Sequence, residues 1–148
     1  MGPAEKLALF ASGLLFLNAL ITGTWKYAQI RSSPEGVAHP YVDVAHRASL
    51  LYSFAALLLS RFAELSPYSA GVNLCAVALP LVFFFGAILS YVVHGALRDT
   101  DNQLRRPHVL GSRAVAPGMM TTWMVALIAC EIGGFLVLFW GFVSSRIL

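Results

Sequence analysis

The sequence predicts an all-α integral membrane protein, with four transmembrane helices in an up-and-down bundle. Three observations carry this. Of 148 residues, 58% are hydrophobic and only 11% charged, well under half of the roughly 25% charged share usual in soluble domains. Mean hydropathy is +0.73, and a soluble domain this apolar would expose large sticky patches. The apolar residues also gather into four runs, 7–25, 44–62, 70–94 and 119–143. Each is close to the roughly 20 residues a helix needs to cross a hydrocarbon core of about 30 Å. Backbone polar groups in lipid must pair within their own segment, so these runs are read as helices.

The first run has a single Lys before it and no clean small-x-small cleavage site, so an uncleaved span is expected rather than a signal peptide. The second opens on "YVDVAHRASLLYSF", residues 41–54, with Asp43, His46 and Arg47 close together at the membrane edge. The third carries "LVFFFGAIL" at 81–89 and ends on Tyr91 and His94. The fourth is expected to start near Pro117 and holds Glu131, followed by Gly133 and Gly134. That count puts Glu131 about 21 Å from the layer that His46, Tyr91 and His94 are expected to share, too far to act as an acid in that layer. It is then either protonated and bonded to another helix, or it lines a small polar cavity. The intervening segments, 26–43, 63–69 and 95–118, are short enough for one domain over 1–148. Lys26, Arg31, Arg98, Arg105, Arg106 and Arg113 fall on one side of the bilayer, and Lys6, Arg61 and Arg146 on the other. This bias puts the first and third connecting segments in the cytoplasm.

Net charge is +3, with the basic residues spread over loops and no basic stripe interleaved with aromatics, so nucleic acid binding is not expected. Cys75 and Cys130 fit neither a metal spacing nor a disulfide framework and read as small packing residues.

His46 starts the second span and Tyr91 and His94 end the third, so two antiparallel helices bring them to one shallow layer. Ala87, Tyr91 and His94 share a face at i, i+4 and i+7. Polar groups inside a span usually face the bundle and mark a functional site, although a His or Tyr there also suits the membrane interface. Neutral imidazole is a common haem ligand, and Arg47, Arg105 and Arg106 are candidates for the propionates. No C-x-x-C-H is present, so covalent haem attachment is not expected.

At these residues the chain resembles the styrene oxide isomerase family of small four-helix membrane proteins. The resemblance rests on "SPEG" at 33–36, on Ala45 and His46 opening the second helix, and on Tyr91 standing 45 positions after His46. "GALRDTDNQLRRP" at 95–107 corresponds in position to the family's polar loop. The similarity covers about half of the chain, and its short motifs are individually weak. In one departure, Tyr52 replaces an Asn that the family has six residues after its His.

The resemblance implies ferric haem b on His46 as the iron ligand, in a homotrimer of the bacterial inner membrane with haem at the subunit contacts. It implies Lewis-acid opening of an aryl epoxide and a 1,2-hydride shift to an aldehyde (a Meinwald rearrangement), with Tyr91 and Tyr52 shaping the catalytic pocket. A neighbouring epoxide-forming monooxygenase is the implied partner. Two readings stand beside it: a bis-His electron-transfer cytochrome b using His46 and His94, and a non-catalytic haem-binding bundle in which Tyr52 blocks the iron.

Overall fold

The computed structural model describes residues 1–116 and 118–148; the expected helix start near Pro117 lies outside them. Four helices account for most of the chain: α1 (Pro3–Ser32), α2 (Pro40–Leu65), α3 (Ala70–Leu97) and α4 (Met119–Arg146). Each is long and apolar enough to cross a bilayer, in keeping with a multi-pass integral membrane protein. Every helix runs past the apolar stretch that announced it, because local caps rather than hydropathy decide where a helix stops. Pro3 and Pro40 occupy first-turn positions, where a missing N–H costs nothing. Glu5 accepts the Gly2 amide at 2.9 Å, and Ser69 caps α3 through the Val72 amide. Arg98 closes α3 in the left-handed region, φ 52°, with its N–H on the His94 carbonyl.

The most extensive packing is between α1 and α2. Ala4, Ala8, Ala11, Leu15, Ala19 and Thr22 make a buried stripe along α1. Small side chains let the two backbones approach, which is how helices associate where lipid removes the hydrophobic drive. Polar groups tie the seam: Ser12 donates to the Ser53 carbonyl and Asn18 to the Ser49 hydroxyl, both at 2.8 Å.

Helix α4 packs mainly on α3 and more lightly on α2. Its buried residues are Gly134, Leu138 and Gly141. Pro80, fully buried inside α3, has no N–H to offer the Ala76 carbonyl one turn back. Gly134 lies over that carbonyl, so close that a Cβ at 134 would sit 2.5 Å from the oxygen. Ile128, Ile132, Leu136 and Trp140 point away from the bundle.

The α3–α4 connection folds back on itself as a short hairpin, β1 (Val109–Leu110) with β2 (Arg113–Ala114), turning at Gly111 with φ 61°. A two-residue ladder is too short to show in a sequence pattern, and none was expected there. Cys75 and Cys130 are free thiols.

Candidate functional site

The C-terminal ends of α1 and α3 and the N-terminal ends of α2 and α4 lie at one end of the bundle, together with residues 98–116. Tyr41, in the first turn of α2, is the hub there. Its buried ring stacks on Tyr91 at 5.9 Å and tilts against His94 at 5.2 Å between centroids. Its hydroxyl accepts the Gln103 amide. His94 is 4% exposed, and its Nδ1 is 2.7 Å from Asp99 Oδ1. The second Asp99 oxygen accepts the Gly111 amide. Ser90 donates to the Gln103 side chain, and His108 bonds the Gln103 carbonyl at 3.1 Å.

Burial alone would push the Asp99 carboxyl up, but the bonds from His94 and the Gly111 amide outweigh it and hold it below the ordinary carboxylate range. Desolvation, with help from Arg98, holds the His39 imidazole below its usual value. The sign for Asp99 follows from linkage: a depressed native value adds stability above the ordinary carboxylate range, lost as pH falls through the native value. Acid should therefore release the Gly111 amide before it melts the helices. Hydrogen exchange at Gly111, followed from neutral to strongly acid pH, checks this; protection unchanged throughout would contradict it.

A second group sits deeper. Tyr52 and Glu131 each lie twelve residues beyond the first residue of their helix, about 18 Å in at 1.5 Å per residue. Tyr52 stacks flat on Phe84, with centroids 4.3 Å apart and planes 6° from parallel. Glu131 is within electrostatic reach of both Tyr52 and Tyr91. Its Oε1 is sealed from solvent with no hydrogen-bond partner among the described residues, a state it shares only with Asn73 Oδ1. Glu131 remains deeper than the layer of His46, Tyr91 and His94, as counting from the helix end expected, and lies at the level of Tyr52. Beyond it, towards the opposite end, Phe62 meets Phe135, Phe139 and Phe142 edge-on at 5.4–5.7 Å.

The remaining residues singled out from the sequence scatter. His46 Nδ1 is 2.8 Å from the Ala19 carbonyl, and its ring lies against Gly23 of α1. Arg47 is exposed and paired with Asp43 at 3.4 Å; the same carboxylate also holds Lys26. Arg105 is exposed and paired with Asp101 at 3.0 Å, and Arg106 is exposed. Of the run at 81–89, Phe84 faces Tyr52, Phe83 packs on Trp123 at 4.9 Å, and Phe85 points outward.

These placements correct the expected haem chemistry. Among the described residues no three His, Cys, Asp or Glu side chains come together to hold a metal ion. The two imidazoles expected in one layer turn to different partners, His46 to α1 and His94 to Asp99, so the bis-His arrangement is not formed. Arg47 and Arg105, expected at propionates, are committed to carboxylates. The ferric haem b cofactor, the iron-dependent epoxide isomerase activity and the haem-binding alternatives are overturned together. The epoxide substrate and the epoxide-forming monooxygenase lose their basis with them.

Tyr41, Asp99 and Gln103 were not picked out from sequence. A carboxylate five residues past His94, inside a segment otherwise rich in Arg, was the available signal. Tyr41→Phe tests the hub: it keeps the ring and removes the Gln103 acceptor. The end segment should lose about 1 kcal/mol of local stability, read as faster exchange at the Gln103 amide while helix amides stay protected.

The chain was compared with protein-family models, with curated proteins and with solved structures, and none of the three gave a match.

Proposed function

We propose that this chain takes up and releases a proton inside the bilayer, at Glu131, from the end that carries residues 98–116. The observation that carries the reading is the Glu131 carboxyl, about 18 Å into its helix, with its Oε1 sealed from solvent and unpartnered among the described residues. Ionisable groups in spans are costly to keep and commonly belong to proton pathways. Unpaired charge is expensive there, so the resting carboxyl holds its proton. Phenols and imidazoles both donate and accept. Tyr52 and Tyr91 are within electrostatic reach of the carboxyl, Tyr41 stacks on Tyr91, and His94 adjoins Tyr41. The opposite direction meets the Phe62 cluster, which has no exchangeable proton. A path open on one side serves a protein that couples protonation to another event rather than one that leaks.

The excess of Lys and Arg on that side supports a cytoplasmic open end, and the family resemblance supports a bacterial inner membrane. The resemblance of 33–107 to the styrene oxide isomerase family supports a shared four-helix architecture, and a homotrimer with it; the outward face of α4 offers a surface for such contacts.

Infrared difference spectra of the protein in nanodiscs, taken across an alkaline pH jump, test the proton site. The carbonyl stretch of a neutral carboxyl should disappear in the parent and be missing at both pH values in Glu131→Gln. A parent spectrum with no carboxyl band that depends on Glu131 would defeat the proposal.

A further inference from the structure

We infer that residues 99–114 form a lid over the Tyr41–Tyr91 end of this path and that Asp99 is its latch. What the lid guards rests on the proton reading above; that it opens and closes does not. The segment is held to the bundle almost wholly by polar bonds, and these converge on two residues. Asp99 joins the end of α3, through His94, to the hairpin turn, through the Gly111 amide. Gln103 joins α2, through the Tyr41 hydroxyl, to α3, through Ser90, and holds His108. Of the large apolar residues of the segment, Leu104 is 54% and Leu110 49% exposed, and Val109 alone is partly buried. A unit with few buried apolar contacts opens locally well before the helices do. Within it the Asp99 bonds are the strongest, because one partner is charged and the Asp99 side chain is only 6% exposed.

The surroundings favour a latch over a fixed plug. His39 lies within electrostatic reach of Arg98, Asp99, Asp101 and His94, and the charged partner that Asp99 itself meets is the His94 imidazole, joined by the neutral Gly111 amide. Arg98 holds φ 52° where the segment leaves α3. The lid is therefore joined to the helix through one left-handed residue adjacent to the latch. When Asp99 lets go, the Tyr41 hydroxyl, His94 and the top of Tyr91 come into contact with the aqueous phase.

The test reads access directly and does not need the proton site to function. In a Cys75→Ser, Cys130→Ser background, Tyr91→Cys is introduced and the protein placed in nanodiscs. Labelling by a membrane-impermeant maleimide is timed with Asp99 intact and with Asp99→Ala, Asp99→Asn and Asp99→Glu. Labelling should quicken about tenfold in the Ala variant, less in Asn, which still accepts the Gly111 amide, and return towards the parent in Glu. Exchange at the Gln103 and Gly111 amides should quicken in the same order, with helix amides unchanged; this shows that the bundle has folded. Equal labelling across the series, or helix amides exchanging together with the lid, would overturn the latch. Proton uptake timed in the cysteine-free protein separates the two ideas. If Asp99→Ala opens the lid while Glu131 takes up no proton, the proton reading fails and the lid stands. If Glu131 takes up its proton at the same rate with and without Asp99, the lid does not guard it.

Discussion

Gly134→Ala should destabilise the bundle by about 2 kcal/mol, whereas Gly133→Ala, one residue earlier, should be neutral or slightly stabilising. The two positions differ in what a methyl group would meet. At 133 a Cβ finds nothing within 4 Å, and exchanging Gly for Ala in a helix gains about 0.5–1 kcal/mol. At 134 it would lie 2.5 Å from the Ala76 carbonyl oxygen and 2.7 Å from the Pro80 ring. Neither neighbour can swing aside, one being backbone and the other a ring fixed to it. The helices must separate, and that uncovers the carbonyl Pro80 leaves without its usual helical donor. Unfolding in mixed micelles titrated with denaturing detergent gives both values. Equal shifts for the two substitutions would mean that α3 and α4 do not meet at this glycine.

How much of this the sequence carried differs between fold and site, for physical reasons. Hydropathy is a property of whole segments, so four spans were legible from composition and run length, and the short connections ordered them. The helix ends were less so: α1 continues to Ser32 and α3 to Leu97 because capping and interfacial residues sustain a helix after the apolar run stops. The layer holding Tyr91 and His94 was legible from their spacing on one face. Their partners were not. Asp99 reaches His94 only because Arg98 turns the chain back, and Gln103 reaches Tyr41 from 62 positions away. His46 illustrates the limit: its depth follows from counting along α2, but the direction of its ring is set by the small residues of α1, which admit it beside Gly23. Glu131 was conspicuous as a lone carboxyl in an apolar run. Its relation to Tyr52 depends on where two separate helices begin, and hydropathy does not locate those starts closely enough.

Tyr91→Phe should slow proton transfer to Glu131 about a hundredfold, the effect typical of removing a positioned proton-transfer group, and leave the amount of proton bound unchanged. The separation of rate from extent is what makes the variant informative. Phe keeps the ring that stacks on Tyr41 at 5.9 Å and packs against the buried core, so the bundle has no reason to rearrange. It removes only the hydroxyl, which in this reading hands the proton between the end layer and the deep carboxyl. Glu131 itself is untouched, and its affinity for a proton is governed mainly by its own surroundings. Stopped-flow pH jumps on nanodiscs, with a pH dye for the rate and the carboxyl infrared band for the extent, measure the two quantities on one sample. A lowered extent at an unchanged rate would make Tyr91 part of the binding site and not of the route. An unchanged rate and extent would mean that the proton reaches Glu131 along another face of the bundle, and Tyr52 on α2 is then the hydroxyl to remove next.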